Sequence, residues 1–319
     1  MRFYAGVTDQ DWFDYLRSLP DVDEVNFWQP SPGDEFRALS KGDLFLFKLH
    51  RSARTRKRDL IAGGGVFVSY SVLPISLAWE AFEHRNGAAT YSEMRRRLLS
   101  YRRIPDNPHK DFRVGCIVLT QPFFFDESLW FQAPEWKGPI VRGKAKGYEM
   151  DKEAGKLIWE SLQRGWKFQR IHDLDGEARR IEDERARYGK ETTIRPRLGQ
   201  GAFRVLVTDA YQRACAITEE HSLPVLEAAH IKPYIESGPH AVNNGLLLRS
   251  DLHRLFDRGY ITITPDYRIE VSRRLKEEFE NGRSYYPFSG QHLSHLPEQV
   301  ADRPQRDLLV WHNDSIFKG

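Results

Sequence analysis

One stretch of the chain, from Glu227 to Asp257, constrains the fold more than any other. It reads EAAHIKPYIESGPHAVNNGLLLRSDLHRLFD and separates His230, Asn244 and His253 by fourteen and nine residues. Neither the helical period of 3.6 nor the strand period of 2 accounts for these intervals. We therefore expect a small active site that is assembled from several short elements.

The local pattern of this stretch predicts a strand, a loop, a second strand and a helix. The segment KPYIESGPHAVNN holds two prolines, one glycine and two asparagines, which is typical of a loop. The apolar run GLLLR predicts the second strand. Ser250 or Asp251 then predicts a helix N-cap, and Gly259 predicts the end of that helix. The Pro-Asp pair in YITITPDYRIEVS predicts a hairpin turn.

His253 and Asp257 are the candidate metal ligands on that helix. They are four residues apart, so their side chains lie on one helical face. An imidazole and a carboxylate on one face can chelate a divalent cation. His230, at the end of the first strand, would be left free of the metal to take a proton from water. Asn244 could bond across the loop and hold it closed.

In these residues the sequence resembles the HNH, or ββα-metal, nucleases. The resemblance rests on His230 in AAHI, Asn244 in NNGLLL and His253 in SDLHRLFD. It covers about residues 211–272 and implies that His230 is the general base and that Asn244 braces the loop. It further implies that His253 and Asp257 ligate Mg²⁺ or Mn²⁺, which would stabilise the pentavalent phosphate and the leaving 3′ oxygen.

One position departs from the family pattern. Many members carry a metal-ligating Asp or His immediately before the base, where this chain has Ala229. Either Asp257 or Glu227 supplies the missing group, or water and phosphate oxygens complete the shell. We favour Asp257, because strand alternation places Glu227, three residues before His230, on the opposite face. Ala229 also leaves open a nucleic-acid reader whose nuclease site is inactive.

The first half of the chain carries a second resemblance. Apolar runs predict strands in DLFLFKL, LIAGGGVFVSY and RVGCIVLTQPFFF, and capped helices in SLAWEAFEHRNG and TYSEMRRRLLSYRR. The order GDLFLFK and then IAGGGVF resembles the paired strands of EVE-like domains in the PUA-like superfamily. This resemblance spans residues 1–150. It implies a small curved barrel that holds an extruded base in an aromatic pocket.

The same resemblance implies base-reading residues in the segment NFWQ. Trp28 and Phe27 are candidate stacking platforms, Trp136 is a third, and Asn26 could read a base edge. Extruding a base costs a few kcal/mol, and each stacked base returns about 1–3 kcal/mol. The alternative is that these adjacent aromatic residues belong to the core.

Basic residues predict contacts with DNA phosphates. The segment RSARTRKR, between two predicted strands, holds five basic residues in eight and no acid. Such a loop can track phosphates with strong salt dependence, although a solvated loop is the alternative. The predicted DNA contacts are Arg51, Arg54, Arg56, Lys57, Arg58 and Arg249.

The length of 319 residues suggests two domains. We expect an α+β protein with a PUA-like curved β-barrel and helices at 1–160, a charged helical linker at 161–200 and a ββα-metal (HNH) nuclease domain at 201–319. The two cysteines form no CxxC pair, which disfavours a zinc site and fits a reducing compartment. The chain shows neither a signal-peptide pattern nor an apolar run of ~18 residues, so we expect a cytoplasmic protein.

These features together predict a modification-dependent restriction endonuclease. The N-terminal domain would recognise a modified cytosine, such as 5-methyl- or 5-hydroxymethylcytosine, in double-stranded DNA, and the C-terminal domain would cut the backbone. One such site cuts one strand, so a double-strand break implies a homodimer or two binding events. The alternatives are an HNH nuclease specific for an unmodified sequence or for phosphorothioate DNA, and an inactive nucleic-acid reader.

Overall fold

A computed structural model describes residues 1–33, 35–49, 59–136, 145–173, 199–233 and 236–319, with the backbone alone at 169–173. The chain divides into two compact units, Met1–Arg197 and Leu198–Gly319, which we call unit 1 and unit 2. Among the residues so described, no helix is both long and apolar enough to cross a membrane.

The described residues of unit 1 form a mixed sheet with helices around it. The strands are β1 (Arg2–Thr8), β2 (Glu24–Gln29), β3 (Leu44–Leu49), β4 (Leu60–Pro74), β5 (Arg113–Phe124), β6 (Phe131–Gln132) and β7 (Lys146–Glu149). Their order is β2-β5-β4-β3-β1-β7, with β6 beside β4. Among the strands described for unit 1, only β1 and β3 pair in parallel. The helices are α1 (Gln10–Ser18), α2 (Ile75–Phe82), α3 (Tyr91–Arg102) and α4 (Glu153–Asp173).

A contact between two distant strands shows that this sheet curls strongly. β2 and β3 are separated by β5 and β4, so a flat sheet would hold them about 14 Å apart at 4.7–4.9 Å per strand. The ring centroids of Phe27 on β2 and Phe45 on β3 are nevertheless 4.6 Å apart. Bulges in the β3–β4 and β4–β5 ladders assist this bending. The described strands still end at β2 and β7, so the closed barrel that we predicted is not found among them.

The glycines of β4 allow its neighbouring strands to approach closely. An added Cβ at Gly63 would lie 2.2 Å from the Phe123 carbonyl oxygen, and one at Gly64 would lie 2.6 Å from the Phe45 carbonyl oxygen. Both oxygens belong to the backbone of a flanking strand. The glycine run therefore allows close packing of β4 against its neighbours, in ladders that are bulged on both sides.

The patterns in the sequence placed β3, β4, β5, α2 and α3 within a few residues of their observed bounds. They missed β1, α1, β2, β6 and β7. The predicted linker from residue 161 begins inside α4, whose Ala154, Ile158 and Leu162 are buried in the core of unit 1. The remainder of that linker, at 174–198, lies outside the described residues.

Unit 2 contains the strand, loop, strand and helix that the sequence predicted. α5 (Gln200–Ala210) precedes β8 (Leu226–His230) and β9 (Gly245–Arg249), which pair antiparallel with His230 opposite Gly245. α6 (Ser250–Asp257) follows β9 directly. The remaining elements are β10 (Ile261–Ile263), β11 (Ile269–Val271), α7 (Arg274–Phe279) and α8 (Arg306–Ser315).

α6 is a short amphipathic helix. Leu252 and Phe256 are buried in the core of unit 2. His253 and Asp257, each one residue further along, therefore share an adjacent face that is open to solvent. Gly259 follows the helix with a φ of +74°, and a Cβ there would lie 2.0 Å from the Ile316 carbonyl oxygen. Only glycine fits this position.

A buried histidine joins α8 to α6 and β10. His312 Nδ1 lies 2.8 Å from Thr262 Oγ1, and Nε2 lies 3.2 Å from the Phe256 carbonyl oxygen. The imidazole also stacks on the Phe256 ring at a centroid distance of 3.8 Å. Burial lowers the pKa of His312 to about 4, so this side chain is neutral in the folded protein at pH 7.

Unit 2 is expected to lose stability as the pH falls from about 6.5 to about 4. In that range the unfolded chain binds a proton at His312 that the folded chain does not, so the free energy of unfolding decreases, by roughly 3 kcal/mol in total. His312→Gln keeps a donor for the Phe256 carbonyl and removes this titration. Urea unfolding of both proteins at pH 7 and pH 4.5 measures the difference, and an equal pH dependence in both would contradict this role.

Candidate active site

Four side chains from β8 and α6 meet in unit 2. His230, at the end of β8, is close enough to His253 and Asp257 for their charges to act on it. Glu227, at the other end of the same strand, is hydrogen-bonded to His253. The pairing of β8 with β9 and the direct passage from β9 into α6 bring these residues together.

His253 stands between two carboxylates. Its Nδ1 lies 2.7 Å from Glu227 Oε2, and its Nε2 lies 3.3 Å from Asp257 Oδ2. Burial lowers the pKa of His253, but its hydrogen bonds to Asp257 and Glu227 outweigh that effect, so the pKa is raised above its ordinary value. The Asp257 side chain is 56% exposed and that of Glu227 is 42% exposed. The edge of His253 that faces Asp257 is therefore the more open one.

The position of Glu227 corrects an expectation from the sequence. Strand alternation should turn Glu227 away from the site, since it precedes His230 by three residues. The structure instead brings its carboxylate to His253 Nδ1. α6 packs against β8 itself, so alternation along this five-residue strand was a poor guide to the side chains that His253 can reach.

The chemistry of these residues fits a divalent cation. When Nδ1 of His253 donates its proton to Glu227, the lone pair of Nε2 is free on the side of Asp257, an arrangement common around metal-binding histidines. No group of three or more His, Cys, Asp or Glu side chains in the described part of the chain is arranged to hold a metal. His253 and Asp257 would thus give two ligands, and water or phosphate oxygens the others, as Mg²⁺ often requires.

His230 has the protonation state that a general base needs. Burial lowers its pKa to about 4, with further lowering by His240 and His253 and an opposing effect of Asp257. Its Nε2 is buried and makes no hydrogen bond within the described residues. The imidazole stacks on Phe203 of α5, with ring centroids 3.8 Å apart and an interplanar angle of 10°. A neutral, fixed imidazole of this kind can accept a proton at pH 7.

Sequence reasoning missed Phe203. It lies 27 residues before His230, on a different element, and no pattern in the sequence links the two. The apolar period of α5 predicts only that Phe203 is buried. That it is buried against an imidazole depends on how α5 packs across β8.

Asn244 holds the loop between β8 and β9. Its side chain is fully buried, and its Nδ2 donates to the carbonyl oxygens of Lys232 and Pro239, both at 2.9 Å. Its Oδ1 accepts from the Lys232 backbone N–H at 2.9 Å. Its own carbonyl oxygen accepts from the Ile231 N–H. These bonds hold the backbone of Ile231 and Lys232, the two residues that follow His230.

Arg249 is paired within the protein. Its Nε and Nη2 donate to the two carboxylate oxygens of Asp251 at 2.7 and 2.8 Å. This bidentate pair occupies the guanidinium that we expected to contact phosphate. The same pair occupies the Asp251 carboxylate. α6 therefore begins at Ser250 without the side-chain cap that we predicted. The other predicted DNA contacts lie outside the described residues: Arg51, Arg54, Arg56, Lys57 and Arg58.

Asn26 and Trp28, two of the base-reading residues predicted in unit 1, lie in its interior. Asn26 is fully buried, and its Nδ2 donates to Asn86 Oδ1 at 2.9 Å. Trp28 is 8% exposed, and its indole N–H donates to the Asn86 carbonyl oxygen at 2.8 Å. Phe27 packs against Phe45. These contacts correct the prediction that Asn26 and Trp28 face a base, because both side chains are already bonded inside the unit.

Comparison with known proteins identifies the class of the site in unit 2. A sequence model of a family described as HNH endonuclease matches residues 215–264, which contain the whole of β8, β9 and α6. No curated protein matches the chain. A solved structure titled "Modification dependent TagI restriction endonuclease" is similar at 12% identity and a TM-score of 0.30, over 99% of this chain and 81% of that one. Those values are too low to carry an activity from one chain to the other.

The match and the geometry agree on the chemistry of unit 2. The chain carries an HNH endonuclease domain and is a DNA-hydrolysing nuclease. Nucleases of this class generally use a divalent metal. The matched residues include Glu227, His230, Asn244, His253 and Asp257.

Removing the Glu227 carboxylate is expected to weaken Mn²⁺ binding about 10- to 100-fold, because His253 then loses the acceptor that fixes its tautomer and ring orientation. Calorimetric titration of the DNA-free protein with Mn²⁺ compares Glu227→Ala with the parent protein. Glu270→Ala, on the exposed face of β11, is the matched control. Equal Mn²⁺ affinity in Glu227→Ala and the parent protein would show that His253 is oriented by other contacts.

Proposed function

We propose that this protein is a modification-dependent restriction endonuclease. Unit 2 would hydrolyse phosphodiester bonds in double-stranded DNA, and unit 1 would recognise a modified cytosine. The observation that carries the nuclease part is the grouping of a neutral His230 with the His253–Asp257 pair on one ββα element. The base-recognition part is supported by the curled, aromatic-lined sheet of unit 1.

In the proposed reaction His230 accepts a proton from the attacking water. Phe203 holds the imidazole in its plane, and the hydrogen bonds of Asn244 hold the loop that follows it. His253 and Asp257 would bind Mg²⁺ or Mn²⁺, which supplies charge stabilisation for the phosphate and the leaving oxygen. Glu227 keeps His253 Nε2 available for that ion by accepting the proton of Nδ1.

The selection of a target is assigned to unit 1. A ββα-metal site contacts the backbone and selects little sequence by itself, so specificity requires another surface. A domain that reads a modified base in a pocket first extrudes it from the stack, and aromatic rings repay part of that cost. We therefore favour 5-methyl- or 5-hydroxymethylcytosine as the target. Recognition of an unmodified sequence or of phosphorothioate DNA is the second candidate.

Cleavage should be confined to modified DNA and should require His230. The assay uses one DNA sequence containing cytosine, 5-methylcytosine, 5-hydroxymethylcytosine or glucosylated hydroxymethylcytosine, with Mg²⁺ or Mn²⁺. His230→Ala is expected to lower the cleavage rate by at least the roughly 10²- to 10⁴-fold that general-base catalysis contributes. The variant should still bind the metal. Equal cutting of all four DNAs would exclude recognition of a modification. Binding of DNA with no cutting at all would favour an inactive reader.

We also propose that two copies act together. One HNH site cuts one strand, so a double-strand break needs either a homodimer or two successive binding events. Sedimentation of the DNA complex is expected to give the mass of two chains on one duplex. A complex that contains one chain while it yields double-strand breaks would rule out the dimer.

A further inference from the structure

A lysine lies beside the general base of unit 2 without taking part in its proton transfer. Lys232 follows His230 by two residues. Ala229 and Ile231 are both fully buried in the core of unit 2. His230 and Lys232 alternate with them and are half-buried, so they occupy the other side of the same stretch of backbone. At about 3.3 Å per residue, the two side chains leave the backbone roughly 7 Å apart.

The backbone of Lys232 is held at both of its polar groups. Its N–H donates to Asn244 Oδ1, and its carbonyl oxygen accepts from Asn244 Nδ2, each at 2.9 Å. Asn244 is fully buried and closes the loop that begins after His230. The amide that places the general base therefore also fixes the point from which the lysine side chain starts.

An aromatic ring holds the other end of the lysine side chain. The Nζ of Lys232 lies 5.1 Å from the centre of the Trp311 ring on α8, which is within the range of a cation–π contact. Trp311 is itself half-buried. Among the described residues, no carboxylate forms an ion pair with Lys232. The positive charge is thus held in one place and is not neutralised there.

The nuclease site needs a positive group of this kind. Glu227 and Asp257 bring two carboxylates to the site, and these repel the phosphates of a DNA backbone. Arg249, the cation that the sequence suggested for phosphate, has both Nε and Nη2 bonded to Asp251. Lys232 lies next to the general base and has no such acidic partner among the described residues.

We propose that Lys232 binds a phosphate of the DNA backbone next to the phosphate that is cut. Its ammonium group donates to a phosphate oxygen, and Trp311 is a positioning residue that holds the ammonium group there. The contact fixes the strand relative to His230 and so aligns the reacting phosphate with the base. This inference rests on the proposed hydrolysis of DNA by unit 2 and is independent of whether unit 1 recognises a modified cytosine.

The test measures the salt dependence of DNA binding by the full chain. Fluorescence anisotropy follows one labelled duplex in EDTA, which keeps the DNA intact, between about 50 and 200 mM KCl. Each neutralised phosphate contributes about 0.9 to the magnitude of the slope of log affinity against log salt. Lys232→Gln is expected to lower that magnitude by about 0.9, so over this range it loses about threefold less affinity than the parent protein. Lys232→Arg keeps a cation and should retain the parent slope.

Lys318→Gln is the matched control. The Nζ of Lys318 lies 4.1 Å from the centre of the Tyr260 ring, so this variant also removes a lysine that contacts an aromatic ring in unit 2. Its slope should equal that of the parent protein. An unchanged slope in Lys232→Gln would overturn the proposal. An equal reduction in both variants would overturn it too, because the effect would then come from net charge alone.

A double-mutant cycle separates the positioning role of Trp311 from a role in folding. Trp311→Leu should weaken DNA binding in the parent protein but should cause no further weakening in Lys232→Gln. Weakening by the same factor in both backgrounds would contradict the positioning role, because the effect of the indole would then not pass through the lysine.

Cleavage with Mg²⁺ distinguishes the failure of this contact from the failure of the proposed function. Lys232→Gln should cut more slowly at limiting DNA, by the same factor for duplexes with cytosine and with 5-methylcytosine, because a phosphate contact carries no sequence information. Its Mn²⁺ affinity in calorimetry should stay unchanged, and a loss of Mn²⁺ binding would show that the lysine supports the site itself. If the parent protein cuts neither duplex, the proposed function fails, while the salt slopes still decide whether Lys232 binds phosphate.

Discussion

The nuclease site depends first on one buried amide. Asn244 satisfies the N–H and the carbonyl of Lys232 and the carbonyl of Pro239, so the ends of an irregular loop are closed by a single side chain. The Asn244 amide is itself fully buried, so leaving it without these partners would carry a considerable cost. Closing the loop also fixes where β8 ends, and therefore where His230 stands relative to α6.

The surroundings of the two histidines in the site shift their pKa values in opposite directions. His230 stacks on Phe203 and is desolvated, so its pKa falls and it stays neutral. For His253, two carboxylates outweigh the desolvation and raise its pKa. Titratable groups that are separated in this way mark different roles in acid–base chemistry. A neutral imidazole suits the base, and an imidazole between carboxylates suits a site that receives a cation.

The ease of predicting each feature follows from how local its contacts are. The ββα element lies within 32 consecutive residues, and its loop residues, glycine end and i,i+4 pair were visible in the sequence. Glu227 was misplaced because its contact depends on how α6 packs over β8, which alternation alone does not describe. Trp28 was assigned to a base pocket because the sequence alone does not show its hydrogen-bond partner. That partner is the carbonyl oxygen of Asn86, 58 residues further on, which accepts the indole N–H.

The same distinction applies to the two units of the protein. Backbone hydrolysis needs few groups at fixed spacing, and a short contiguous element can supply them. The contacts that hold unit 1 together instead join residues that are distant in the sequence. Lys48, Asp59 and Trp136 come from separate parts of the chain, and β-bulges and a left-handed residue bring them together. Contacts of this kind leave no compact sequence motif, because the residues that make them are far apart in the sequence.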